Sequence, residues 1–282
     1  TARSRGLGDV YKRQAILDHE AVIRLGIFTG ILLVMILAEA AAPRRDQRYT
    51  RRQRWPHNLL MVVVDTLVVR LLFPVAAVGA AVMANEQAWG LLNLANLPVW
   101  LSVLLGTIAL DLAIYFQHRI FHAVPWLWRL HRMHHADLEF DVTTGLRFHP
   151  LEIVLSMAIK ITVVVALGAP AIAVLIFEVI LNATSMFNHG NVRLPQGLEQ
   201  KLRRLVVTPD MHRVHHSIVP EETNSNFGFN LPWWDRFFGT YRDKPAAGHI
   251  GMVIGIEDFR EPRDLRLDQM LIQPFRSTYR RP

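Results

Sequence analysis

DLAIYFQHRIFHAVPWLWRLHRMHH, residues 111–135, holds five of the chain's thirteen histidines. His118 and His122 are four apart, and His131, His134 and His135 follow as HxxHH. A second HxxHH, His212, His215 and His216, lies far downstream, preceded by a lone His189. Residues at i, i+3 and i+4 of a helix share a face, so each cluster aims two or three imidazoles the same way. Imidazole is the commonest neutral metal ligand and suits iron, copper, nickel and zinc. A catalytic zinc takes about three protein ligands. Eight clustered histidines are too many for one ion and suit two. Chance on a basic surface explains one pair at this spacing, not three groups in this order.

Around this stretch the chain is apolar. Of 282 residues 51% are hydrophobic, and they come in long runs rather than amphipathic stripes, which predicts a membrane protein. There is no cysteine, which excludes disulfides, thiolate metal sites, iron–sulfur ligation and cysteine nucleophiles. The net charge of +7 suits the arginine excess of a membrane protein's cytoplasmic side. Nothing in it requires a nucleic-acid partner.

The apolar runs set an expected topology. The first, 21–42, is interrupted by Arg24 and Glu39 and reads as a span rather than a signal peptide. PRRDQRYTRRQRW follows at once, with six arginines and one aspartate, and resists translocation. A second run, 58–84, carries Asp65 and Arg70, expected to pair or to snorkel. The loop 85–97 has no Lys or Arg. Pro98 opens a third run, 99–117, leading into His118. Runs 153–167 and 171–187, joined at GAP, predict a shallow or tilted hairpin. The positive-inside rule then places the arginine loop 43–56, and with it all the histidine clusters, in the cytoplasm. The fourteen Lys or Arg of residues 190–282 agree. The fold expected is all-α: an integral membrane bundle of about three spans plus a helical hairpin, with a cytosolic helical histidine-rich cap.

HRIFH, HRMHH and MHRVHH resemble the HxxxH, HxxHH, HxxHH signature of the membrane fatty acid hydroxylase/sterol desaturase superfamily. The resemblance runs from about Asp111 to Tyr241 and takes in DVTTGLRFHPLE, FNHGN, TPDMHRVHH and NSNFGFNLPWWDRFFGTY, stretches similar to the bacterial members. It implies a non-haem di-iron centre, two Fe ions with O2 as co-substrate, that hydroxylates or desaturates a lipid C–H bond. The implied ligands are His118, His122, His131, His134, His135, His212, His215 and His216, with His189 as a ninth. The metal centre itself would be catalytic, with no separate acid or base. No flavin, haem or iron–sulfur motif is present, so an external donor is expected: a ferredoxin, a cytochrome b5-like protein or a reductase. The location implied is the bacterial cytoplasmic membrane.

Four further residues are candidates for orienting the ligands. Asp111 lies two turns before His118. His149, in RFHPLE, stands outside the three boxes; Pro150 after it can begin a helix. Glu152 can partner a ligand imidazole or an arginine. Asp235 can brace the last box. Trp126 and Trp128 suit the membrane–water interface. Arg132 is expected to meet phosphate head groups or carboxylates. Residues 1–14, TARSRGLGDVYKRQ, resemble a read-derived tail and are set aside as non-native. Residues 15–97 form the N-terminal transmembrane region, 98–245 the catalytic domain and 246–282 a peripheral tail. A haem electron-transfer protein, a zinc-dependent membrane hydrolase and a metal transporter are the rival readings. Haem ligands usually sit singly within spans, a zinc hydrolase wants a close glutamate base as in HExxH, and a transporter places ligands near the midplane.

Overall fold

Apolar runs of about twenty residues can satisfy their backbone in lipid only as helices, and the computed structural model of the chain is helical. It describes residues 19–95 and 97–277; the segment 1–14, set aside above, lies outside them. The helices used below are α1 (Glu20–Ala41), α2 (Arg51–Leu72), α3 (Ala77–Glu86), α4 (Val99–Ala123), α5 (Pro125–His135), α6 (Pro150–Leu167), α7 (Ala171–Asn188), α8 (Pro209–His215) and α9 (Leu267–Ile272). Among the described residues the only β pairing is two isolated bridges, Pro43 with Val192 and Ser217 with Ile254. Five stretches are long and apolar enough to cross a membrane: α1, Arg51–Leu94, α4, α6 and α7. The protein is an integral membrane helical bundle. Leu25, Leu37, Leu67 and Leu71 point outward, each more than 60% exposed, a pattern that suits acyl chains and not water.

The run 58–84 is not one helix. α2 ends at Phe73, and α3 starts at Ala77. Pro74 lies in the gap; without an N–H, and with a ring that clashes with the preceding turn, proline ends the helix there. α3 is rich in alanine, and its buried Ala77, Val78 and Ala81 pack against Leu110 of α4, Val164 of α6 and Phe177 of α7. Small residues let these backbones approach closely. α6 starts with Pro150 at its first position and ends at Gly168, whose φ of +64° gives the left-handed cap before the GAP turn. Asp65 and Arg70, expected to pair or to snorkel, form no ion pair among the described residues, and Arg70 is exposed. Five residues on a helix turn them to different faces, and Asp65 is buried.

The arginine segment expected as a loop is half helix, since α2 begins at Arg51. Gln53 Oε1 accepts from Thr50 N–H at 2.9 Å at its start. Arg54, fully buried, forks onto Asp137: Nε donates to Oδ1 at 2.9 Å and Nη2 to Oδ2 at 2.7 Å. Its Nη1 donates to Asp141, which also accepts from Trp55 Nε1 at 3.1 Å. The positive segment thus clamps the chain just after His135.

The tail, expected to be peripheral, is packed. Met270 of α9 is buried against Met61 and Met133. Arg132 Nη2 donates to the carbonyls of Gln273 and Arg276 at 2.6 and 2.7 Å, where a phosphate or carboxylate was expected. The fit is geometric: the last turn of α5 presents a buried cation to the carbonyls of the turn that follows α9.

Candidate metal centre

Nine histidines converge from four places. α4 supplies His118 and His122 from its last two turns, and α5 supplies His131, His134 and His135. His189 caps the end of α7. α8 supplies His212 and His215, with His216 as its cap. Prolines start both short helices, at Pro125 and Pro209, and Thr208 Oγ1 accepts from Met211 N–H at the head of α8. The rings fall into two groups: His118, His122, His131, His135 and His215, and His134, His189, His212 and His216. Within each group one nitrogen per ring lies within 4.8 Å of all the others. The two groups interleave the boxes, so neither HxxHH stays with one centre.

The other ring nitrogen decides what each group offers. Nδ1 of His118 faces Phe227 O at 2.8 Å, His134 faces Arg147 O at 3.2 Å, His189 faces Ser185 O at 2.7 Å, and His215 faces Ser225 O at 2.8 Å. A carbonyl only accepts, so in these four rings Nδ1 carries the proton and Nε2 carries the lone pair. His131 Nδ1 faces Glu152 Oε1 at 2.7 Å in the same way. Nε2 of His118, His122, His131 and His215 is buried with no hydrogen-bond partner among the described residues, as are both nitrogens of His135 and His216. His134 Nε2 and His189 Nε2 face each other at 3.2 Å. Both are lone-pair atoms, so this contact is repulsive unless a cation relieves it. Buried polar atoms without partners are rare in native proteins. Here they cluster with their lone pairs converging, and a metal ion satisfies them together.

Burial also fixes the charge state. It holds His134, His135, His212 and His216 well below the ordinary imidazole range, with neighbouring imidazoles adding to the effect. His189 and His215 are pushed down to about 3, again chiefly by burial. These six rings are held neutral at physiological pH, the form in which imidazole binds metal.

Aromatic side chains wall the centre. Phe148 stacks on His134 at 4.4 Å. Trp128 lies 4.8 Å from His122 and 5.3 Å from His135, so it is a wall of the site rather than a membrane-interface residue. Its spacing, three before His131 and seven before His135, was the available signal. Gly145 is the other residue that the sequence did not single out. A Cβ there would lie 2.6 Å from Ser185 O and 2.8 Å from His189 Nδ1.

Of the four orienting candidates, Glu152 reaches a ligand-type imidazole. Asp111 does not: its Oδ2 accepts from Trp234 Nε1 at 2.7 Å and Leu231 N–H at 3.3 Å. Seven residues of helix is roughly 10 Å, too far for a carboxylate to reach the His118 ring. His149 is not near either group. It caps α6, accepting from Leu151 N–H at Nδ1 and contacting Leu271 O through Nε2 at 3.1 Å. Asp235 touches neither the last box nor any histidine. It accepts from Phe227 N–H and Gly228 N–H, both at 2.8 Å, and so holds the loop whose Phe227 carbonyl meets His118.

Comparison with known proteins agrees with this geometry. The fatty acid hydroxylase family profile matches residues 103–240, which contain all nine histidines. An ornithine lipid hydroxylase of Rhizobium tropici is 32% identical over 158 residues, 55% of this chain and 47% of that protein. An alkylglycerol monooxygenase of Xenopus tropicalis is 26% identical over 70% of this chain and 44% of its own length. A cholesterol 25-hydroxylase of Rattus norvegicus is 26% identical over 52% and 49%. The chain spans about half the length of the curated relatives it matches. No solved structure matches it. Together with the three histidine boxes, the matching profile and these relatives place the chain in the fatty acid hydroxylase family.

Proposed function

We propose that this protein is a membrane-bound non-haem di-iron oxidoreductase that uses O2 to oxidise a C–H bond of a lipid. The observation that carries the reading is the pair of converging imidazole groups, five and four strong. Haem offers two axial positions and a catalytic zinc takes three protein ligands, so neither uses nine converging rings. Iron bound there would supply the reduction of O2 by external electrons and the oxidising power for an unactivated C–H bond. The chain's residues hold, orient and enclose it. Carbonyls of Phe227, Arg147, Ser185 and Ser225, with Glu152, fix which nitrogen faces inward in five of the nine rings. Trp128, Phe148 and Phe227 keep water out. No residue is needed as a separate acid or base at the reacting carbon.

The substrate enters from the bilayer. A cavity of about 270 Å³ runs from His118 and His131 between α1, α2, α4, α6 and α7, which lets an apolar chain reach the metals without crossing water. The relatives named as hydroxylases and monooxygenases favour hydroxylation over desaturation. Electrons come from a separate redox protein. A separate cleft, in which Arg44, Arg193, Arg203, Arg204, Arg236 and Lys244 outnumber Glu199, Asp210 and Asp243, reaches α8 two residues from His212 and suits an acidic donor. The positive-inside rule puts this face in the bacterial cytoplasm.

The test is metal content of the detergent-purified protein, with Mössbauer spectroscopy after growth in iron-57. About two irons per chain, lost in a His134→Ala/His215→Ala variant that removes one member of each group, is the expected result. A single metal in folded protein, or a haem spectrum, would overturn it.

A further inference from the structure

The cavity that meets the histidines ends in charge. Its wall follows one face of α6, where Glu152, Ser156 and Lys160 recur every four residues, and one face of α7, from Ser185 back to Glu178. Glu152 touches His131 and Ser185 touches His189. Lys160 and Glu178 lie eight and seven residues further along these helices, so the far end stands roughly 10–12 Å from the histidines at the helical rise. There Lys160 Nζ donates to Glu178 Oε1 at 2.7 Å. Arg24 Nη1 donates to Glu178 Oε2 at 2.8 Å and to Glu20 Oε1 at 2.7 Å. Between the two ends the wall is largely apolar, with Ile114, Met157 and Leu181. Asp65 also faces the cavity; it is 8% exposed and its Oδ1 has no partner among the described residues.

Ionisable groups at membrane depth are costly and usually mark a pathway or a binding site. Bracing does not account for this one. α1 already packs on α7 through its apolar face, and a brace need not open onto a cavity that ends at a metal centre. The donor balance tells what fits. Both oxygens of Glu178 accept a bond, whereas Lys160 uses one N–H of its three. The spare capacity is therefore for an acceptor. The hydrogen-bonded set is also balanced, two cations against two carboxylates, and Asp65 adds a third carboxyl facing the cavity, so an anionic occupant would leave one charge unpaired in an apolar bundle. A neutral oxygen does not.

We propose that Lys160, with Glu178 and Arg24, binds a neutral acceptor oxygen at one end of the lipid substrate, a hydroxyl or an acyl carbonyl. The distance from that oxygen then selects the carbon presented beside His118 and His131. The proposal rests on the oxidase reading for what happens at that carbon, but binding can be measured apart from it.

The test uses the full chain in detergent and tritiated probes of equal chain length: 1-octadecanol, methyl stearate, stearate and n-octadecane, with binding read by scintillation proximity. The alcohol or the ester should bind about tenfold tighter than octadecane, the scale of a hydrogen bond to a charged group; the stronger of the two identifies the oxygen. The Lys160→Met/Glu178→Met variant removes one charge of each sign and leaves Arg24 its Glu20 partner. It should lose the preference while keeping wild-type iron content. Equal binding of octadecane by the wild type overturns the proposal without recourse to any variant. So does a preference for stearate over both neutral probes, or a preference that survives in the double variant. Iron content of the same samples separates the two readings: a preference kept by iron-free wild-type protein supports the subsite while counting against the oxidase.

Discussion

At the residue scale, the nine histidines were legible because metal ligation leaves a residue type and a spacing in the sequence. Their supports mostly were not. Four of the five groups that fix the rings are main-chain carbonyls, from Phe227, Arg147, Ser185 and Ser225. A carbonyl is common to every residue and leaves no signal. Only Glu152 orients a ring through a side chain that sequence can show, whereas the carboxylates of Asp111 and Asp235, equally visible, tie loops. Glu152→Ala removes the acceptor from His131 Nδ1 and frees the ring to turn. Iron affinity or turnover should fall 10–100-fold, the usual effect of losing such a partner, with Glu152→Gln between the two because its amide oxygen still accepts. Iron titration against a chelator checks this, and an unchanged affinity in Glu152→Ala would remove the orienting role. Gly145 makes a second case. Its missing Cβ lets the 144–146 turn lie against Ser185 and His189. Gly145→Ala must push one of them away, and because Ser185 O is backbone, the His189 ring is the part that yields. The expected result is loss of part of the iron with the fold retained, read by iron per chain alongside circular dichroism.

At the element scale, helices followed apolar runs, and their ends followed proline and glycine. The break at Pro74 and the caps at Pro150 and Gly168 were visible as residue types, but whether a proline kinks or ends a span depends on what packs beside it. The arginine segment is the clearer lesson. Six arginines read as a topological signal, and charge alone does not tell that one of them is a core residue. Arg54 sits fully buried at the start of α2 and holds Asp137 and Asp141, just past the second box. Burial alone would raise the Asp137 carboxyl, but Arg54 and Arg147 hold it well below the usual range. Arg54→Met leaves buried Asp141 without its cation and Asp137 with Arg147 alone. Removing one partner of such a network costs about 3–5 kcal/mol. The variant should unfold at markedly lower temperature in detergent, whereas Arg52→Met in the same segment should not. Equal melting of the two would show that Arg54 acts only through topology.

At the scale of the whole molecule, the two partners proposed for the site, a lipid and an electron donor, would meet different faces. The apolar cavity opens among α1, α2, α4, α6 and α7, and the basic cleft lies beside α8 with no lining residue in common. Neither face was legible as a surface, because the residues of the cleft come from the 42–44 linker, the 193–204 stretch and the 236–249 tail segment, which meet only in three dimensions. The docked C-terminal residues were likewise read as peripheral from their polar composition, yet Arg129, Arg132 and His149 all spend hydrogen bonds on them. If the cleft receives an acidic electron donor, its exposed cations act mainly on encounter. Electrostatic steering changes association rate more than the chemistry that follows, and salt screens it over a Debye length of about 8 Å at physiological ionic strength. Arg193, Arg204 and Lys244 are exposed and lie away from the histidines. Reversing all three to glutamate should lower kcat/KM for the reduced donor by about tenfold or more at low salt, with iron content unchanged. The deficit should shrink as salt rises, because wild-type steering is screened away. Stopped-flow oxidation of an acidic ferredoxin across a salt series measures both. A deficit independent of salt would mean the substitutions damaged the site, and no deficit at low salt would mean that electrons enter elsewhere.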